Sequence, residues 1–82
     1  MRNVMEGQLQ KIVGHNLRRY RKERGLSQEA FADHVGVHRT YMGAVERGER
    51  NLTLQTVEKM ADFLNLDPLA LLSEPEHPPS NQ

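Results

Sequence analysis

The sequence predicts an all-α fold, a compact domain of five helices, and three observations carry that prediction. Apolar residues recur at three- and four-residue steps along most of the chain, which is the spacing of one helix face. Glycine, serine, threonine and proline stand where these stretches begin and end. No stretch shows the alternation of apolar and polar residues that a half-buried strand would have. Because 82 residues bury only a small core, we expect self-association to add stability.

The first predicted helix extends from Gln8 to Arg24. Gly14 weakens this helix without breaking it. Gly25 ends the helix, because glycine readily adopts the left-handed conformation found at helix C-termini. The apolar face of the helix comprises Leu9, Ile12, Val13, Leu17 and Tyr20.

Two short helices follow, and a single glycine separates them. Ser27 is the predicted N-cap of the second helix, because its hydroxyl can accept a bond from a free backbone N–H. Gly36 ends that helix. The third helix is predicted over residues 38–47 and is closed by Gly48. Residues 28–47 therefore have the order helix, turn, helix.

The last two predicted helices each begin at a clear capping signal. Thr53 is the predicted N-cap of the fourth helix. Asp67 followed by Pro68 starts a fifth helix that runs through Leu72. The apolar stripe of the fourth helix comprises Leu54, Val57, Met60, Ala61 and Leu64.

The composition bounds the class of protein. The folded domain is expected at 8–73, between a lead-in at 1–7 and a proline-rich, disordered tail at 74–82. The absence of cysteine excludes disulfides and thiolate metal sites. There is no long apolar run and no signal-peptide pattern. We therefore expect a cytoplasmic protein with no membrane partner.

The sequence contains no pattern of residues that indicates an enzyme active site. The four histidines lack metal-ligand spacing. No phosphate-cradling glycine loop and no pair of catalytic carboxylates is present. Ser27 lacks a local base pattern and is better explained as a cap. We expect no enzyme activity, no metal, no cofactor and no small-molecule substrate.

The charge is unevenly distributed, although the net charge is zero. Residues 17–50 carry eight lysines and arginines against five acids, whereas residues 51–82 carry one lysine against five acids. Such asymmetry says more about binding partners than the total charge does. Ordinary solvated helix faces are the alternative explanation.

The third helix has an unusual outer face. On a helical wheel at about 100° per residue, Tyr41, Met42 and Val45 form the side that faces the core. The other side carries Arg39, Thr40, Gly43, Ala44 and Arg47. Glycine costs about 1 kcal/mol relative to alanine inside a helix. Gly43 therefore indicates close approach by another molecule, or else chance in a single sequence.

Several short motifs occur in a characteristic order and spacing. They are Leu26–Ser27–Gln28–Glu29, Val45–Glu46–Arg47–Gly48 and Leu64–Asn65–Leu66, together with Arg21, Ala32 and Gly36. With them, residues 17–72 resemble the Cro/cI-type helix-turn-helix domain of the XRE family, which has a lambda-repressor-like fold. Arg39–Thr40–Tyr41 followed by Glu46–Arg47–Gly48 is also similar to the controller proteins of restriction–modification systems. Those controllers tend to carry serine where Gly43 stands, so their preferred operator is not carried over.

The resemblance implies a sequence-specific regulator of transcription that binds double-stranded DNA, with helix 38–47 in the major groove. We expect the bases to be read by Arg39, Thr40, Gly43 and Ala44. Arg39 would donate to O6 and N7 of guanine. We expect the DNA backbone to be contacted by Ser27, Gln28, His38, Arg47, Arg50 and Asn51. The resemblance also implies a structural ion pair between Arg21 and Glu46.

A single recognition helix reads few base pairs, so we expect a homodimer on a twofold-symmetric operator. The fifth helix is richer in leucine than a small core requires, and the predicted dimer contact comprises Leu64, Leu66, Leu69 and Leu72. Burial of these leucines within the monomer is the alternative. Repressor and activator roles are both compatible with the sequence. The alternative function is an antitoxin-type protein, or a protein- or RNA-interaction module that keeps the fold.

Overall fold

The computed structural model describes residues 7–74, and over that range it contains five α-helices and no strand. The helices are α1 (Gln8–Glu23), α2 (Gln28–Val35), α3 (Arg39–Glu46), α4 (Leu54–Leu64) and α5 (Pro68–Leu72). The all-α fold class is confirmed. Residues 1–6 and 75–82, which hold most of the predicted lead-in and tail, lie outside the described residues.

Side chains predicted to cap the helices lie at the helix starts. The hydroxyl of Ser27 accepts a bond of 3.0 Å from the backbone N–H of Ala30. Thr53 does the same for α4, and Asp67 for α5. Gly36 ends α2 with φ 87°, a left-handed conformation that permits a sharp turn into α3. Local chemistry therefore sets where the helices start and how closely α3 follows α2.

One apolar core receives side chains from all five helices. Its largest fully buried members include Leu17, Phe31, Met42, Met60 and Leu71. Leu9, predicted to lie on the apolar face of α1, is instead 54% exposed. The core holds the inner side of α3 and thereby fixes which of its residues face outward.

At Gly14, α1 lies directly against the backbone of the last turn of α3. A Cβ atom at Gly14 would collide with the backbone oxygen of Val45 and would lie 2.7 Å from that of Glu46. Backbone atoms cannot move aside as the end of a side chain can. Gly14 was predicted only to weaken α1. In the structure its lack of a side chain also allows the backbone of α1 to approach the last turn of α3.

A buried asparagine fastens α5 to α1. Nδ2 of Asn16 donates to the carbonyl oxygens of Leu71 at 2.9 Å and Ser73 at 2.8 Å. Asn16 is 1% exposed, and among the described residues its Oδ1 has no hydrogen-bond partner. The amide thus satisfies carbonyls that the short α5 leaves unpaired at its C-terminal end. Sequence periodicity did not identify this residue, because a polar residue on an apolar face carries no signal of its partner.

Residues 7–74, the described range, contain neither a candidate membrane-spanning helix nor a candidate metal site. None of its helices has the length and apolar character needed to cross a membrane. None of its histidines, aspartates and glutamates are grouped so that three or more could hold a metal ion.

Candidate nucleic-acid interface

The N-terminal turn of α3 presents polar side chains to solvent. Arg39 and Thr40 are both exposed. His38 is the N-cap, and its Nδ1 accepts a bond of 3.1 Å from the backbone N–H of Thr40. On the other side of the helix, Met42 and Val45 are buried in the core. The helix therefore offers an arginine and a threonine outward from a rigidly packed base.

Gly43 does not lie on this open face, and the prediction that it does is wrong. It is buried. A Cβ atom at Gly43 would lie 3.3 Å from Nη1 of Arg47, and 3.5 Å from Oε1 and 3.8 Å from Nε2 of Gln28. The side chains of Arg47, the C-cap of α3, and of Gln28, at the start of α2, thus cover it. Ala44, beside it, is half-buried.

A hydrogen-bonded network joins α1, α2 and α3 beneath this surface. Nε of Arg21 donates to Oε2 of Glu46 at 2.6 Å, and Nη2 donates to Oε1 at 3.0 Å. Nε2 of Gln28 donates to the same Oε1 at 3.0 Å. The side chains of Arg21 and Glu46 are only 9% and 3% exposed. The residues predicted to form an ion pair are thus in bidentate contact, and their carboxylate also orients Gln28.

The segment after α3 carries the remaining predicted backbone contacts. Nε of Arg47 donates to Oε2 of Glu49 at 3.1 Å, in a pair that is largely exposed. The guanidinium of Arg50 lies 5.0 Å from the centre of the Tyr41 ring, a distance typical of a cation–π contact. Asn51 is exposed. These side chains extend the polar face of α3 beyond its C-terminal end.

Two arginines of the basic run at the end of the first helix make contacts within the domain. Nη2 of Arg24 donates to the carbonyl oxygen of Leu64 at 2.9 Å, at the C-terminal end of α4. Its guanidinium also lies 5.6 Å from the centre of the Tyr20 ring, and that of Arg19 lies 4.7 Å from it. Arg24, the C-cap of α1, therefore links the end of α1 to the end of α4.

The predicted dimer leucines fall into three environments. Leu64 is 1% exposed and belongs to the core, so its assignment to a dimer contact is wrong: the monomer already buries it. Leu66 and Leu72 are half-buried against the core. Leu69 is 65% exposed on α5. Leu54, which the sequence placed on the buried stripe of α4, is 73% exposed.

Known proteins share both the sequence and the shape of this chain. A family model described as helix-turn-helix matches residues 17–71. Control protein C.SmaI of Serratia marcescens is 46% identical over 65 residues, which cover 79% of this chain and 77% of that protein.

Two solved structures resemble the fold. The restriction-modification controller protein C.AhdI from Aeromonas hydrophila has a TM-score of 0.71 and 42% identity, covering 76% of this chain and 94% of that one. The biofilm regulator SinR, solved in complex with DNA, has a TM-score of 0.69 and 32% identity, covering 74% of this chain and 98% of that one. The family match, over residues 17–71, includes α3 and its polar face.

Proposed function

Because the chain belongs to the helix-turn-helix family, we propose that it regulates transcription by binding a specific sequence of double-stranded DNA. The family and the relatives of this chain are transcription regulators rather than enzymes, as the sequence predicted. The resemblance to restriction–modification controllers is confirmed as well. The observation that carries the proposal is the pair of exposed side chains, Arg39 and Thr40, on a helix whose other side is core.

The proposed reading helix is α3, extended by its caps to residues 38–47. The major groove of B-DNA, about 12 Å wide, admits an α-helix. Arg39 stands in the first turn and can offer two N–H donors to O6 and N7 of guanine, which is the commonest specific contact. Thr40 can meet a thymine methyl group or a base-edge acceptor. Ala44 adds no bulk, which favours close approach to the bases.

The proposed backbone contacts come from the helix ends around α3. Ser27 and Gln28 belong to the start of α2, His38 is the N-cap of α3, and Arg47, Arg50 and Asn51 follow the last residue of α3. The geometry of Gln28 supports this role. One N–H of its amide donates to the Glu46 carboxylate, and within residues 7–74 the second N–H has no acceptor, so it can donate to a phosphate. Contacts of this kind orient the protein on the duplex and make affinity depend on salt.

We propose a homodimer, since two reading helices about a twofold axis recognise more base pairs than one. Half-sites would lie about one helical turn apart, ~34 Å. The proposed contact comprises Leu66, Leu69 and Leu72. Leu69 supports it most directly, because a leucine that is 65% exposed on a five-residue helix gains from burial against a partner.

The test of base reading is Arg39→Ala compared with Lys59→Ala, an exposed cation on α4 with no proposed DNA role. Both variants lose one positive charge. We expect Arg39→Ala to lower affinity for the preferred sequence by about tenfold or more, equivalent to ~1–3 kcal/mol. It should keep weak, salt-sensitive binding to unrelated DNA. Lys59→Ala should keep the preference. Equal preference in all three proteins would exclude base reading by Arg39.

A further inference from the structure

We propose that Gly43 positions Arg47 against the DNA backbone, beside Gln28, and does not itself read bases. This inference rests on the proposed function. It starts from the two polar side chains that cover Gly43. The ends of Arg47 and Gln28 both lie within 4 Å of the position that a Cβ atom at Gly43 would occupy. Both side chains carry donors suited to phosphate oxygens.

The fold itself does not require a glycine at this position. Gly43 lies in the middle of α3 with ordinary helical backbone, because its φ is not among the positive values. A Cβ atom there would press only on the ends of flexible side chains, at 3.3 Å from Nη1 of Arg47. At Gly14, by contrast, a Cβ atom would meet backbone oxygens. Alanine is also the better helix former. Glycine at position 43 therefore lowers the stability of α3, and packing within the domain does not explain why it is there.

The surrounding contacts set where the ends of the two side chains lie. Nε2 of Gln28 donates to the carboxylate of Glu46. Because a carboxylate only accepts hydrogen bonds, the NH₂ end of the Gln28 amide must face Glu46. Nε of Arg47 donates to Glu49 in a largely exposed pair, and Nη1 of the same guanidinium lies over Gly43. A methyl group at 43 would push Nη1 by a few tenths of an ångström, and with it the donors that Arg47 offers to a phosphate.

The experiment is Gly43→Ala, measured for thermal stability and for the salt dependence of binding to the preferred duplex. We expect the Tm to be unchanged or raised by a few degrees, about 4 °C. We expect the slope of log affinity against log salt to become shallower by about 0.9 for each half-site. At 0.1 M salt this corresponds to a loss of about five- to tenfold for each half-site. The preferred base sequence should not change.

Two further variants separate the explanations. Gly14→Ala, the same substitution against backbone, should lower the Tm. Arg47→Ala should give the shallow salt slope by itself, and adding Gly43→Ala to it should cause no further loss. If Gly43→Ala lowers the Tm as Gly14→Ala does, Gly43 serves the fold and the inference is wrong.

The remaining outcomes distinguish the inference from the function beneath it. A changed base preference with an unchanged salt slope would make Gly43 part of base reading and overturn the inference. An unchanged affinity and slope in Gly43→Ala would also overturn it. If the unmodified protein itself shows no salt-dependent affinity for duplex DNA, the proposed function fails first, and the inference fails with it.

Discussion

Removing either member of the Arg21–Glu46 pair is expected to destabilise the domain more than removing both. The carboxylate of Glu46 is 3% exposed and accepts three hydrogen bonds, two from Arg21 and one from Gln28. Arg21 also donates through Nη1 to the carbonyl oxygen of Leu26 at 2.7 Å. Either single substitution leaves the partner's charge buried without a counter-ion, which costs roughly 3–5 kcal/mol.

This cost is large for a domain of this size. At roughly 0.05–0.15 kcal/mol per residue, the described range would have a free energy of unfolding of about 3–10 kcal/mol. Arg21→Met or Glu46→Leu alone should therefore lower the Tm by about 12 °C or more, at 4–8 °C per kcal/mol. The double variant replaces both charges by apolar groups and should be no less stable than either single variant.

The assay is urea unfolding of the four proteins, followed by far-ultraviolet circular dichroism because the chain has no tryptophan. We expect a coupling free energy of several kcal/mol from the double-mutant cycle. Glu46→Gln, which keeps the shape of the side chain, serves where Glu46→Leu does not fold. Single variants that each cost less than about 1 kcal/mol, or costs that add within ~0.5 kcal/mol, would refute the reasoning.

Two further predictions concern α5. Leu69→Lys should sediment as a monomer at concentrations where the parent is dimeric, with unchanged helix content by circular dichroism. Leu54→Lys, at a leucine that is 73% exposed against 65% for Leu69, should stay dimeric. Dissociation by Leu54→Lys alone would place the contact elsewhere. Asn16→Ala should lower the free energy of unfolding by ~1–3 kcal/mol, since the carbonyl oxygens of Leu71 and Ser73 lose their donor. An unchanged urea midpoint would show that this amide does not fasten α5.

The helices could be predicted from the sequence because their ends depend on neighbouring residues alone. Ser27, Thr53 and Asp67 bond to the backbone two or three residues ahead, so their roles can be read locally. The left-handed residues Gly36 and Asn65 end α2 and α4 for the same reason. Nothing distant is needed to set these boundaries.

The errors arose where a distant side chain decides the outcome. A helical wheel treats α3 as isolated, so it could not show that Gln28 of α2 lies across Gly43. An apolar stripe shows that a face is buried but not what covers it, so Leu64 was assigned to a partner when the core of the monomer holds it. Asn16 was missed because its acceptors lie more than fifty positions away in the sequence. The periodicity of apolar residues predicts which face of a helix is buried. The candidate site, however, depends on which side chains from different helices contact each other.

The most direct test of DNA recognition by α3 is selection of bound sequences from random duplex DNA with the full chain. We expect a twofold-symmetric consensus whose half-sites are centred about one helical turn, ~34 Å, apart. Guanine should be enriched in each half-site and lose its enrichment in Arg39→Ala. The account would be contradicted if the bound DNA showed no sequence consensus and if binding to it did not weaken as the salt concentration rises.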